Sequence, residues 1–549
     1  MFQKYSLRFI HIIKPHCYFL IIILAFIFLL YFSILDNKLI SDENTILVPQ
    51  MSYQNTFSSF RFSPLAPYIF VSSYLIFGLS PLPLRIVSIF LHCAVSCLVY
   101  FLFFQLFKKK QISFFSALLF AIHPLATESV TWFAGTQYVL YTMFFLLSFL
   151  CYLRSRVFTH MKTNYYFWFS VVFYILAQLA SEKAVVLVLV FLLYELIFGK
   201  IRERYRELVI FACISFCWTA IHLTAIGVRS KSLQTDLFIG GGFQNPLTQI
   251  PYAITFYVQQ FLLPINLSLY QGYSMAYLDY GIRLVIFLCL VIGLYFLYIK
   301  SKNYFFLGML IFITLIPTLT PLKISSTVAE RYIYIGMIGF SGISSLFYYY
   351  VLQNKKIREI GIIIGIVVII FLSIRTIIRN NDWNDEYSFW SNTVSTVPYN
   401  SQVRINFGGI LFKQGKLQEA EEQFITSIKL DPNNPEAYQN LGYLYLVTGN
   451  IDRSINYYST CINIYPNNWK PYNDLAVVYI TKKDFKTALE YVQKGLKISP
   501  HSDSLYSVLG LIYLDTNDKK SAQESFEKAL YLNPHNERAK IWLTKIGKN

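Results

Sequence analysis

A chain of 549 residues that is 55% hydrophobic and only 14% charged, with mean hydropathy +0.45, is not a single soluble globule; soluble domains carry roughly a quarter of their residues as Asp, Glu, Lys or Arg. Its net charge of +17 would suit nucleic acid, but the basic residues sit in short loops between apolar runs, where they orient a membrane protein, so no nucleic-acid partner is expected. The eight cysteines show neither a disulfide framework nor zinc-ligand spacing. Seven lie in apolar segments and Cys461 lies in a later repeat region, all reading as small packing residues.

Lys4, Arg8 and Lys14 precede an apolar run from about Cys17 to Leu35. The run is long and has no small-x-small cleavage site after it, so it reads as an uncleaved first span. Further spans are expected near 83–107, 111–126, 137–153, 165–181, 184–198, 208–227, 283–299, 304–320, 331–352 and 360–377. The stretches 64–79 and 250–263 are too short or too interrupted to span, and should lie along the interface or re-enter. The basic clusters Lys108 to Lys110, Arg154 to Lys162, Lys200 to Arg206, Lys300/Lys302 and Lys355 to Arg358 then fall on one side with the N-terminus. An odd count of about eleven spans puts that side in the cytoplasm and everything after residue 378 outside it.

Past Trp390 the composition turns soluble and helix-forming. Pro432, Pro466, Pro500 and Pro534 are 34 residues apart. Small residues recur in phase at Gly408, Gly442, Ala476 and Gly510, and again at Ala420, Ser454, Ala488 and Ala522. Tyr445, Tyr479 and Tyr513 share a further register with Leu411. This is the tetratricopeptide (TPR) pattern, helical hairpins that bury their apolar faces only by stacking. The expected architecture is all-α: a polytopic membrane domain over 1–378, a linker over 379–400, and a TPR solenoid over 401–549. Its four units are 401–434, 435–468, 469–502 and 503–536, followed by a short basic tail. Such solenoids present a groove to peptides or proteins.

Charged residues at the outer membrane edge are the candidates for chemistry. They are Asp42-Glu43 after the first span, His123-Pro124 with Glu128, Glu182-Lys183, and Glu330-Arg331. Singly, each reads as a hydrated loop residue or a snorkelling pair. Together, on one side of the membrane, they favour an active site.

Several of these residues carry a family resemblance. The motifs are Asp42-Glu43, Gly78-Leu79-Ser80-Pro81 with Leu91-His92, and His123-Pro124 with Thr127-Glu128-Ser129-Val130. Others are Tyr257, Pro264 and Tyr270, then Ala329-Glu330-Arg331-Tyr332, Arg379-Asn380-Asn381-Asp382-Trp383, Trp390 and Pro398. Over nearly its whole length the chain resembles the TPR-containing transmembrane O-mannosyltransferase-like family, a branch of the GT-C glycosyltransferases. The resemblance implies inverting transfer of mannose or another hexose from a polyprenyl-phosphate donor to Ser or Thr hydroxyls of a protein acceptor. Asp42 would be the base and Glu43 its neighbour, while Arg331 would meet the lipid phosphate. Arg61, His92, His123, Glu128, Glu182, Lys183 and Glu330 would line the donor site. The resemblance fixes no cofactor: cationic side chains or a divalent metal ion would stabilise the leaving phosphate.

The pattern departs from the family in four places. The acidic pair is Asp-Glu instead of Asp-Asp, and Ser63-Pro64 stands where an Arg-Pro is expected, with Arg61 two residues earlier. Gly135-Thr136 replaces Gly-Arg, and Glu182-Lys183 replaces Lys-Glu. Either Arg61 substitutes, or donor recognition has changed, or activity has been lost. The competing readings are an inactive TPR membrane scaffold and a lipid-linked glycan ligase or polymerase. The expected location is a bacterial inner membrane with periplasmic repeats, or an endoplasmic reticulum membrane with luminal repeats.

Overall fold

The computed structural model describes residues 14–40, 80–157, 165–235, 245–269, 277–319 and 328–546, with isolated positions between 65 and 78. Every regular element among them is helical. The chain divides into two compact units, Met1–Phe389 and Trp390–Asn549.

In the first unit, α1 (Cys17–Tyr31) has no polar face, leaving Tyr18, Ile21 and Leu29 outward while Ile23, Ile27 and Tyr31 pack inward. Helix α2 (Pro81–Phe107) starts with proline in its first turn, where a missing N–H costs nothing, and ends on left-handed Lys108. Helix α3 (Lys110–Ile122) stops at His123 because Pro124 disfavours helical geometry in the residue before it. The chain bends by 56° into a 3-10 turn at Pro124–Ala126 and the short helix α4 (Thr127–Thr131). The straight span expected over 111–126 is therefore broken.

Helices α5 (Thr136–Ser155), α6 (Tyr165–Ala180), α7 (Val188–Ile197) and α8 (Ile201–Thr235) follow. The apolar stretch at 184–198 opens as a 3-10 turn over Glu182–Leu187, leaving α7 only ten residues long. Helix α9 (Pro246–Leu262) buries Tyr252, Phe256 and Tyr257 in the core and packs on α10 (Tyr277–Lys300). Then come α11 (Lys302–Leu315), α12 (Met337–Gln353) and α13 (Arg358–Asn381).

Five described helices are long and apolar enough to cross a membrane, or six if the bent pair is one span. The expectation of about eleven spans is not reached on that criterion, because helices such as α6, α7 and α11 are too short for a 30 Å core. The span over Leu278–Lys300 has none of its most apolar window buried, as a helix facing hydrocarbon would.

The helix α14 (Glu386–Thr396) crosses the unit boundary. The second unit then holds four hairpins: α15 (Ser401–Lys413) with α16 (Leu417–Leu430), α17 (Pro435–Val447) with α18 (Ile451–Ile464), α19 (Trp469–Thr481) with α20 (Phe485–Ile498), and α21 (Asp503–Asp515) with α22 (Lys519–Leu532). A last helix, α23 (Glu537–Ile546), packs on α22. Asn400, Asn434, Asn468 and Ser502 cap the first helices by accepting from backbone N–H groups two or three residues on. The periodic small residues let the hairpins close: a Cβ on Gly442 would stand 2.9 Å from the Tyr458 ring, and one on Gly510 2.7 Å from Phe526.

Candidate functional site

The first unit gathers its charges where the 3-10 turn at Glu330–Ile333, α4 and the end of α13 come together. Glu128 sits in the first turn of α4 and is fully buried. Its carboxylate accepts the Arg331 backbone N–H at 3.1 Å and is ion-paired with the Arg331 guanidinium through Nη1. Glycine at 135 is what lets this turn close, because a Cβ there would lie 2.6 Å from the Glu128 carbonyl oxygen.

Glu330 faces the other way and takes Arg379 from α13 in a two-pronged pair, Nη2 to Oε1 at 2.8 Å and Nε to Oε2 at 3.3 Å. Arg379 also donates to Asp382 Oδ2 at 3.2 Å. Burial pushes the Glu330 carboxyl above the usual carboxylate range, Arg379 pulls it back, and Glu128 adds to the push. Ala329 is tied through both its N–H and its carbonyl to the Tyr257 hydroxyl, at 3.2 and 3.1 Å. The segment Ala329 to Tyr332 is thus held residue by residue.

Aromatic rings cover these cations. Arg331 lies 5.3 Å from the Trp132 ring and 4.9 Å from Tyr332, while Arg379 lies 5.4 Å from Trp383. Lys183 lies against the same Tyr332 ring, at 4.1 Å, and donates to the Tyr138 hydroxyl. Two cations therefore meet one tyrosine ring, and Lys183 also has the charge of neighbouring Glu182. Glu182 opens the 3-10 turn beside it, half-buried.

The histidines have packing roles. His92, fully buried on α2, is bonded through Nδ1 to the Tyr334 hydroxyl at 2.8 Å and through Nε2 to the Ala121 carbonyl at 3.1 Å. His123 is bonded to the Phe261 carbonyl through Nε2 at 2.9 Å, accepts the Leu125 N–H on Nδ1, and stacks on Phe261 at 4.6 Å. Both nitrogens of each ring are thus engaged within the fold. Asp42, Glu43 and Arg61 lie outside the described residues.

Arg85 is the residue the sequence reading passed over. It is 1% exposed, bonded to the Thr131 carbonyl and, at 2.9 Å, to the Lys38 carbonyl. Lys38 also donates its N–H to Asn384, and Asn37 donates to the Asn380 carbonyl. An arginine inside an apolar run is costly without partners, and that cost was the available signal. Among the described residues no three His, Cys, Asp or Glu side chains are grouped closely enough to hold a metal ion.

An apolar helical unit carrying this charged cluster is followed by tetratricopeptide hairpins. A family model described as dolichyl-phosphate-mannose-protein mannosyltransferase matches residues 62–224. Tetratricopeptide models match 408–449, and 435–468, 470–502 and 503–536. A protein O-mannosyl-transferase of Caenorhabditis elegans is 23% identical over 424 residues, covering 73% of this chain and 59% of that protein. Protein O-mannosyl-transferase TMTC3 of Mus musculus is 23% identical over 467 residues, covering 76% of this chain and 50% of that protein. The chain is thus similar to protein O-mannosyl-transferases over a mannosyltransferase-type segment and carries tetratricopeptide repeats after it. It spans between 50% and 59% of the length of these two curated relatives. An Arabidopsis OM64 TPR domain is 22% identical, with 21% of this chain and 95% of that one covered at a TM-score of 0.20.

Proposed function

We propose that this protein is a multi-pass membrane glycosyltransferase that moves a hexose from a polyprenyl-phosphate donor to Ser or Thr hydroxyls of a protein acceptor. In this reading about eleven apolar segments cross the bilayer, the reaction lies at its non-cytoplasmic edge, and the repeats receive the acceptor. The observation that carries it is the pairing of Lys183 and Arg331 on the Tyr332 ring. Two cations against one ring, only one of them ion-paired with Glu128, favour an anion beside them, and the leaving lipid phosphate is such an anion.

Asp42 removes the proton of the acceptor hydroxyl as its oxygen attacks the anomeric carbon. The bond from that carbon to the phosphate oxygen breaks on the opposite face, and the electron pair leaves with the polyprenyl phosphate. Lys183 and Arg331 take up the phosphate charge, while Glu128 fixes the Arg331 guanidinium. Support comes from the mannosyltransferase-type match over 62–224 and from relatives that carry the O-mannosyl-transferase name.

The test is sugar transfer in membranes from a labelled polyprenyl-phosphate hexose. Asp42→Asn should abolish it, and Lys183→Met should raise the donor KM more than it lowers kcat. Full transfer by Asp42→Asn would remove the base from this reading. The scaffold reading draws on Glu128 already satisfying Arg331; it expects both variants to retain function and groove variants to lose it.

A further inference from the structure

The first helices of successive hairpins, α15, α17, α19 and α21, stand side by side. Residues in equivalent repeat positions therefore form rungs across one wall. At one end the rungs are polar. Gln402 donates to Asn406 Oδ1 at 3.3 Å and to Glu436 Oε2 at 2.9 Å. In the next repeats Gln439 donates to Asp474 Oδ2 at 2.6 Å, and Asn473 to Asp474 Oδ1 at 3.3 Å. The amides of Gln402, Gln439 and Asn473 are thus turned onto the Glu436 and Asp474 carboxylates. The Asn473 Oδ1 is buried with no hydrogen-bond partner among the described residues. A buried acceptor left in this state costs free energy that a donor brought by a ligand would recover. Lys470, exposed at the register position after Glu436, is close enough for its charge to act on both carboxylates, and Arg538 acts on Asp474.

Two helical turns along from Glu436 the same wall becomes apolar. Tyr443 and Val447 are 51% and 54% exposed, and the Tyr443 ring meets Phe412 of the neighbouring helix at 5.4 Å. Two turns are about 11 Å, which an extended chain crosses in about three residues.

We propose that this wall binds an extended peptide segment that places a Lys or Arg against Glu436 and Asp474 and an apolar side chain, about three residues away, on Phe412 and Tyr443. The segment belongs to the acceptor protein, so the proposal rests on the repeats being the acceptor-binding part of the transferase. The carboxylates take the cation and their neighbouring acceptors take its remaining N–H groups. The Phe412–Tyr443 pair supplies the apolar anchor and fixes register.

Fluorescence anisotropy with the full-length protein in lipid nanodiscs tests this, using short labelled Ser/Thr-rich peptides and no sugar donor. One peptide carries Lys and Phe three residues apart, a second has Glu for Lys, and a third has Ser for Phe. The first should bind roughly tenfold more tightly than either other, the weight of one charge-assisted contact or one buried anchor. The double variant Glu436→Gln, Asp474→Asn should erase the preference for Lys over Glu, and Tyr443→Ala the preference for Phe over Ser. Equal binding of the Lys and Glu peptides by the unaltered protein, or preference for the acidic one, overturns the proposal, and this comparison stands even if the double variant does not fold. Because no sugar is present, such a failure leaves the transfer reading intact, and loss of transfer leaves the peptide result intact.

Discussion

In the membrane unit the buried charges find partners far away along the chain: Arg331 and Glu128 are 203 residues apart, and Arg379 and Glu330 are 49 apart. In the repeat unit carboxylates also serve the backbone beside them, as Asp484 does for Thr487 and Asp518 for Ser521. The contrast follows from the solvent of each unit. In an apolar surround a charge without a partner is prohibitive, so the fold brings distant segments together around ion pairs. In water a repeat needs only correct helix ends and a close-packed hairpin, and each unit supplies these locally. Substitutions should therefore be felt broadly in the first unit and repeat by repeat in the second.

The largest effect expected is that of Arg379→Ala. It strands the Glu330 carboxylate in the core, and losing one partner of a buried pair costs about 3–5 kcal/mol. Thermal unfolding of the purified protein in detergent should show a large fall in the transition of the membrane unit; an unchanged transition would mean that the pair is hydrated. Gly442→Ala comes next. Its Cβ must push the Tyr458 ring from 2.9 Å, and overpacking of this kind costs about 1–3 kcal/mol, here confined to the repeat unit.

Asn468→Ala should cost about 1 kcal/mol through loss of the cap on Lys470. Lys483→Gly should act in the opposite direction, since Lys483 sits at φ 63 where the first two repeats use Gly415 and Gly449. Relief of left-handed strain should stabilise that hairpin by roughly 1 kcal/mol, readable as slower hydrogen exchange in α19 and α20.

The smallest effect is a pH dependence in the groove. Burial pushes the Glu436 and Asp474 carboxyls above the usual range. The Gln402 hydrogen bond and the Lys470 charge pull Glu436 back, while the hydrogen bonds of Gln439 and Asn473 and the charges of Lys470 and Arg538 pull Asp474 back. The folded state then holds these protons to a higher pH than the unfolded chain does. Their contribution to stability is full below the unfolded values and declines as pH rises through the folded ones. Affinity for a Lys-bearing peptide should move the other way, weakening as acidification protonates the two groups. Anisotropy titrations at neutral pH and at about pH 5 would show it, and the Glu436→Gln, Asp474→Asn protein should lose it.

The repeat unit was legible in the sequence because its determinants are local and periodic. Prolines 34 residues apart end each second helix, and Gly408, Gly442 and Gly510 mark the crossings where the structure brings a ring against the helix. Apolar runs long enough to cross a bilayer, and the break at His123-Pro124, are likewise written in short stretches of chain. What only the tertiary structure decided was partnership. Nothing local says that Glu330 and Arg331, adjacent in sequence, pair in opposite directions, with Arg379 and with Glu128. Nothing local says that His123 spends both nitrogens on its own fold, or that Arg85 reaches across to Lys38. Composition and periodicity set which segments leave water. Pairing across tens to hundreds of residues depends on which segments meet once they have left it, and there the cost of an unmatched charge fixes the answer.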